Sequence, residues 1–434
     1  MAQAPYLDEL RLTHFKSFSG AALPLRDLTF LIGRNGSGKS NAIDGLQVLS
    51  KLAQGDDVRD AIEGSRGEGA EVRGGVRGCA PFGDESFSLG CCVTSGAERF
   101  GLDLTIAIDP DVQITAERLW CEEGATGRTL LETDDPDPDR ADLVGRYDNG
   151  KQGPNPALPF RSTRLLTSQV ATKIPSDTEA MQRVHRGAEA VLEALQAIFV
   201  LDPVPSLMRQ YVPSKDTVLR RRADNLSAAI GGLLQDAESE ARLRELVQAL
   251  PEQAVDRITV ESSSLGDVVI ALDERRGNSN VPVSARVMSD GMLRFLAFAT
   301  ALLEAPLLED EAKAEEGHTM LVIEEIENGL HPSQAVRVVE LIKAESGRRQ
   351  IRTLATTHSP AMLTALAAED HEGVVVCDRE SETGGSRMRR LVDLPAYARA
   401  MASGSLGEAV IRRRLEEQGD ADALRELDVV LSGP

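Results

Sequence analysis

Apolar positions along the chain fall into short unbroken runs and into stripes of helical period. Residues 10–15 and 28–32 read as strands, and the second is almost wholly apolar, as a strand buried on both faces must be. A glycine-rich turn then leads into a helix over 40–52, with Ile43, Leu46, Val48 and Leu49 on its apolar side. The stretch 64–90 is rich in glycine and charge and lacks a period, so it reads as a loop or a set of short turns. Alternating or β-branched patterns predict strands over 87–93 and 100–108. Residues 132–140 join acids to prolines, a composition suited to an exposed loop.

Further along, 177–200 predicts a long amphipathic helix carrying Met181, Val184, Val191, Leu192, Leu195 and Ile198, and 226–250 a second helical region stopped by Pro251. A strand pair is expected over 258–262 and 267–272. From Gly291 onward helices alternate with β-branched runs at 320–323, 353–357 and 374–377. That alternation predicts a parallel α/β sheet, but its parts stand at the two ends of the chain with an insertion between them. No heptad pattern persists and no fixed-period repeat occurs, which argues against a long coiled coil and against a solenoid.

Composition narrows the class. The 434 residues allow two or three domains and a large core, with 41% hydrophobic and 27% charged residues, as in an ordinary globular protein. Forty-eight Lys and Arg face 69 Asp and Glu, a net charge of −21, so nucleic acid or anionic membrane is repelled at long range and would need a local basic patch. Five cysteines without a Cys-x-x-Cys pair argue against a disulfide framework or a four-thiolate zinc site and fit a reducing cytoplasm. No apolar run approaches the roughly 18 residues that span a bilayer, and the first ten residues lack the pattern of a signal peptide. With 3% aromatic residues, a nucleic-acid platform of repeated stacking is not expected.

The chemistry is concentrated in three places. Gly33-Arg34-Asn35-Gly36-Ser37-Gly38-Lys39-Ser40 matches Gly-x4-Gly-Lys-Ser directly after an apolar strand and directly before a helix. Its glycines let backbone N–H groups and the helix N-terminus converge on one anion, with Lys39 directed at the β- and γ-phosphates and the Ser40 hydroxyl a magnesium ligand. Leu321-Val322-Ile323-Glu324-Glu325-Ile326-Glu327 is an apolar strand ending in acids, at the sheet edge where open α/β folds bind ligands. Glu324 would complete the magnesium shell and Glu325 would orient the attacking water. The run 353–358 ends in His358; a lone strand-end histidine is more often structural, but beside a P-loop it suits a γ-phosphate sensor.

These residues resemble the nucleotide-binding head of the ABC-type ATPases, in the branch of SMC, RecF and OLD proteins and the small AAA-type ATPases of phage-defence operons. Leu12-Thr13-His14-Phe15-Lys16-Ser17-Phe18 is similar to the first strand and turn of that branch, Glu324-Glu325 with residues 327–332 to its Walker B and D-loop, and residues 357–360 to its switch-histidine segment. Met288-Ser289-Asp290-Gly291-Met292-Leu293-Arg294 resembles the family signature, in which Ser289, Asp290 and Gly291 at a helix N-terminus would meet the γ-phosphate of a nucleotide held by a second subunit. The resemblance implies ATP and Mg2+ as cofactors, with Asn35, Gly36, Ser37, Gly38, Lys39, Ser40 and Asn41 as the nucleotide cradle, Glu325, His358 and Lys39 catalytic, and Ser40 and, through water, Glu324 on the metal. Gln169 is the best of several candidates for the Q-loop glutamine. Glu324 departs from the pattern, since the first Walker B acid is often Asp.

The expected fold is an α/β P-loop NTPase of ABC-head type: a split mixed sheet with an inserted α+β and helical lobe. Residues 1–60 and 285–395 would form the ATPase core, 61–284 the insertion and 396–434 a helical tail. Lys39 precedes Ser289 by 250 positions while Glu324 follows it by 35, a spacing that disfavours a transporter subunit. Only 76 residues follow His358, which is short for an added nuclease domain. Two functions remain. One is an ATP-hydrolysing switch that forms a head-to-tail homodimer or higher oligomer and controls an effector encoded nearby, a nuclease or other toxin, in phage defence or DNA repair. The other is a RecF-like clamp that grips DNA itself, through patches such as residues 220–222 or 412–414, and would lose affinity steeply with salt. No membrane partner is expected.

Overall fold

The structure, a computed structural model, describes residues 4–64, 72–123, 126–134, 142–248, 250, 255–277, 279–304, 319–349, 351–402 and 404–411. Among the described residues eighteen strands follow one another: β1 (Tyr6–Phe15), β2 (Phe18–Pro24), β3 (Leu28–Ile32), β4 (Ser86–Ser95), β5 (Glu98–Ala107), β6 (Gln113–Glu123), β7 (Thr126–Thr133), β8 (Asp142–Tyr147), β9 (Ala157–Arg161), β10 (Ile198–Leu201), β11 (Val212–Pro213), β12 (Val255–Ser262), β13 (Asp267–Arg276), β14 (Ser279–Ser284), β15 (Met320–Ile323), β16 (Arg352–Thr357), β17 (Val374–Arg379) and β18 (Ser386–Arg390). Fourteen of them form one mixed sheet in the order β10-β15-β16-β3-β17-β18-β2-β1-β4-β5-β6-β7-β8-β9, and β11 to β14 form a second. From β10 to β17 neighbouring strands are parallel; from β1 to β9 they are antiparallel.

The parallel strands β10 and β15 are wholly apolar, and β3 and β16 are almost entirely buried, because both of their faces are covered. Along β3, Leu31 joins the core beneath helices Lys39–Ala53 and Glu179–Gln196, whereas Phe30 and Ile32 join the core of helices Asp290–Glu304 and Ala335–Arg349 on the other side. Alternation of side chains along a strand places successive residues in opposite layers. The sheet thus carries two hydrophobic cores, and the α/β P-loop architecture expected from the sequence is present.

Three local expectations are corrected. The amphipathic helix ends at Gln196, and Ile198–Leu201 leaves it as β10, pairing parallel with β15 in the register Leu201 to Ile323. Branched and aromatic side chains there gain a sheet edge that helical periodicity does not reveal. The region 226–250 holds two helices, Leu226–Leu233 and Ala237–Gln248, divided by a turn just after Gly231 and Gly232. The glycine-rich stretch 64–90 yields to β4 at Ser86; its residues 72–80 form turns, and residues 65–71 lie outside the described residues. So do much of the acid–proline stretch (135–140) and residues 412–434, which include the 412–414 patch. Among the described residues no helix is long and apolar enough to cross a membrane.

One buried ion pair ties the sheet to the P-loop helix. Lys16, held at φ 52° in the β1–β2 turn, meets Asp44 at 2.7 Å, and both side chains are almost fully buried. Removing one member leaves the other charge without compensation, so Asp44→Ala should cost about 3–5 kcal/mol in urea unfolding. Glu63→Ala, which cuts the exposed i,i+4 pair with Arg59, should stay within about 0.5 kcal/mol, and equal effects would contradict this ranking. Burial also pushes Glu304, at the end of helix Asp290–Glu304, up to about 7, although it accepts the Leu219 amide at 3.0 Å. The folded chain therefore holds a proton there that the unfolded chain releases near its ordinary value of 4.5, and the stability linked to it is full below that value and lost as pH rises through 7. Glu304→Gln should flatten the fall of melting temperature between about pH 5 and pH 8; an unchanged slope would contradict the assignment.

Candidate nucleotide site

The strands β15, β16 and β3 lie side by side and parallel, so their C-terminal ends deliver Glu324, His358 and Gly33 to one edge of the sheet. From Gly33 the chain turns into helix Lys39–Ala53, with Gly38 at its N-cap in a left-handed conformation of φ 118°. A side chain would not fit at either glycine. A Cβ on Gly33 would lie 2.1 Å from the Cys377 carbonyl oxygen, and one on Gly38 would lie 2.5 Å from the Ser386 hydroxyl. The hairpin β17–β18 is thus packed against the back of the loop, where Ser386 donates to the Ser37 carbonyl at 2.5 Å and Arg379 to the Gly36 carbonyl at 2.7 Å. An open cavity of about 680 Å3 flanks the loop's outer rim, lined by Arg34, Asn35, Gly36 and Ser37 together with Arg379 and Glu380.

Lys39 curls back over the loop and donates to the Gly33 and Arg34 carbonyls at 2.7 and 3.1 Å. Burial pulls its pKa down, while Glu325, Glu327 and Glu324 nearby oppose that shift and favour the charged form. The Ser40 hydroxyl donates to Glu324, across 284 residues of sequence, and the Asn41 amide donates to Ser17 at 2.8 Å. The Ser37 hydroxyl is buried and has no hydrogen-bond partner among the described residues. An unsatisfied hydroxyl beneath an inward-turned loop of backbone N–H groups is the donor arrangement an oxyanion requires. The oxygen set of Ser40 and Glu324 suits a hard cation such as Mg2+, which takes one or two protein ligands and completes its shell with phosphate and water. Bound there, the ion would neutralise charge on the phosphates.

Glu325 stands beside this pair in a strained backbone, φ 49°, where a residue other than glycine is unfavourable. Its amide donates to the Thr356 hydroxyl at 2.8 Å and its carboxylate accepts from the Asn328 side chain at 3.1 Å, so both ends of the residue are fixed. His358 is half-exposed and faces Glu327: its Nδ1 lies 2.9 Å from the Glu327 carboxylate, which also accepts the His358 amide at 2.8 Å.

Ser289 caps helix Asp290–Glu304 by accepting the Met292 amide at 3.2 Å, and Asp290 pairs with Arg209 at 2.6 Å. Gly291 lies against Gly329, so closely that a Cβ on Gly291 would come within 1.9 Å of the Gly329 carbonyl oxygen. In one chain the signature therefore packs on the segment that follows β15, and among the described residues no hydrogen bond or ion pair joins it to residues 33–41. Gln169 is not brought to the group. Its amide is used by the carbonyls of Arg161, Arg164 and Leu165, and the adjoining residues Thr163 and Arg164 meet Asp57 beyond the far end of the P-loop helix. That helix has 15 residues and is about 22 Å long, so the glutamine stands well away from Ser40.

The structure adds residues that sequence reasoning missed. Asp44 lies one helical turn after Ser40, where a lone acid on an apolar helix is a usable signal. Arg73, from the turns read only as a loop, contacts both Glu324 and Asp44. Arg221, treated as part of a surface charge run, is largely buried near Asp202, Asp44 and Glu324; burial lowers its pKa, and its Nη1 has no hydrogen-bond partner among the described residues. Asp202 follows β10 as Glu324 follows β15, so the two acids leave neighbouring parallel strands together.

Solved structures similar to the chain include an SMC head bound to the C-winged helix domain of ScpA, with 15% identity, coverage of 88% of this chain and 97% of that one, and a TM-score of 0.46. They also include the SMC head domain from Thermotoga maritima, with 13% identity, 89% and 98% coverage and a TM-score of 0.42. A third is the SMC head with an extended coiled coil bound to the C-terminal domain of ScpA from Pyrococcus furiosus, with 14% identity, 89% and 96% coverage and a TM-score of 0.38. No curated protein matches. The model of one protein family, described as "AAA domain, putative AbiEii toxin, Type IV TA system", matches residues 28–364, from the strand before the P-loop to beyond His358. The chain belongs to this AAA-domain family.

Proposed function

We propose that the chain is an ATP-binding and ATP-hydrolysing switch that closes as a head-to-tail dimer around nucleotide and controls a partner effector in phage defence. The observation that carries this proposal is the meeting of Ser40 and Glu324, with Glu325 next to them, at one sheet edge, while Ser289 caps its own helix and, among the described residues, makes no hydrogen bond to residues 33–41. One chain then offers the cradle, the metal ligands and the base, and a second chain would offer the signature. The defence role draws on the family description, which names a toxin of a toxin–antitoxin system.

In this mechanism the N–H groups of residues 36–40 and Lys39 would hold the β- and γ-phosphates, and Ser40 and, through water, Glu324 would hold Mg2+. Glu325 accepts a proton from the water it orients toward the γ-phosphate. Its fixed backbone and the Asn328 contact keep the carboxylate aimed, so little reorganisation is needed at the moment of reaction. The Glu327–His358 pair joins the segments that follow β15 and β16 and would report the γ-phosphate to the segment leading to Gly329. Since Gly329 touches Gly291, loss of the phosphate would be felt at the signature.

Lys39→Ala should abolish binding of a fluorescent ATP analogue. Glu325→Gln should keep binding, lose turnover by about a hundredfold or more, and accumulate as an ATP-dependent dimer in analytical ultracentrifugation. Wild-type turnover by Glu325→Gln would refute its assignment as the base, and a monomer under saturating ATP would refute the sandwich.

A further inference from the structure

Arg73 is the only arginine that the described structure places directly on the carboxylate assigned to the metal. Its Nη1 and Nη2 donate to the two oxygens of Glu324 at 3.1 and 3.2 Å, Nη2 also reaches the Ser40 carbonyl at 3.2 Å, and Nε lies 3.3 Å from Asp44. The guanidinium therefore bridges the P-loop helix and the end of β15, the two elements whose side chains would share a cation. It also uses the oxygen of Glu324 that accepts the Ser40 hydroxyl.

We propose that Arg73 is a built-in counter-cation of the magnesium site: it positions Glu324 and Asp44 when no metal is bound, and Mg2+ must displace it from Glu324 to load. The inference rests on the nucleotide reading of the same site and goes beyond it by naming what the metal competes with. Three physical points support it. An arginine stays charged at every physiological pH, so the competitor is always armed. The planar fork matches a carboxylate in bidentate fashion, which is stronger than a single contact and holds Glu324 in one orientation. The Arg73 side chain is 51% exposed, against 17% for Glu324 and 2% for Asp44, so displacement moves the arginine and leaves the acids in place. Lys16 remains on Asp44 throughout and keeps that carboxylate compensated. Arg73 retains Asp44 after release, which keeps its guanidinium within reach of the site and makes the exchange reversible.

The test is a Mg2+ titration of fluorescent ATP-analogue binding by wild type, Arg73→Gln and Arg73→Lys, with thermal melting as the folding control. Removing the competitor should lower the half-saturating Mg2+ concentration about threefold to tenfold in Arg73→Gln and leave the metal-free affinity for the analogue unchanged. Arg73→Lys, which keeps the charge without the fork, should fall between the two, and it carries the test by itself if Arg73→Gln fails to fold. Superimposable Mg2+ curves overturn the proposal while the nucleotide reading stands. A higher Mg2+ requirement, or weaker binding without metal, also overturns it, because Arg73 would then be a ligand of the nucleotide. A wild type that binds no analogue at any Mg2+ concentration overturns the nucleotide reading itself.

Discussion

The contact between the Ser40 hydroxyl and the Glu324 carboxylate joins residues 284 positions apart, and the remainder of the fold is arranged so that it can form. It requires β15 and β3 to run parallel with only β16 between them, in a register that sets Ile323, the last residue of β15, level with Phe30, two residues before β3 ends. It also requires the chain leaving β3 to reverse within a few residues and enter a helix whose N-terminus faces that edge. Glycines at 33 and 38 permit the reversal because the β17–β18 hairpin leaves no room for side chains there. Parallel strands buried on both faces hold these ends in register, since a slip of one residue would turn apolar side chains from one core to the other.

Charge sets the second constraint. A molecule with a net charge of −21 gathers further acids at this edge: Glu324, Glu325, Glu327, Asp44 and Asp202. The cations that balance them come from different parts of the chain. Lys16 arrives from the first turn, Lys39 from the loop, Arg73 from the turns before β4, and Arg221 from the inserted region between β11 and helix Leu226–Leu233. A polyanionic ligand would therefore enter a field created locally by side chains and helix N-terminus, against the long-range field of the whole protein.

What was legible in the sequence is what local chemistry dictates. Gly33 to Ser40 is readable because the glycines, lysine and serine serve one compact loop, and Glu324-Glu325 because acids at the end of an apolar strand break its pattern. Ser289 was legible through family resemblance more than through its capping role. The supporting charges were not legible: Arg73 sits in an aperiodic glycine-rich stretch, and Arg221 in a run of three arginines that reads as a solvated face. Their importance comes from long-range folding. β10 was hidden for the same reason, because pairing with β15 decides its conformation and lies more than a hundred residues away. Gln169 shows the reverse case, a residue of a suitable type whose side chain the structure places on local carbonyls.

The head-to-tail sandwich is tested most directly by a structure determined with Mg2+ and a non-hydrolysable ATP analogue. The account predicts two chains around each nucleotide, with the γ-phosphate between Lys39 and Ser40 of one and Ser289 of the other. A nucleotide held within a single chain, with Ser289 of every copy remote from phosphate, would contradict it.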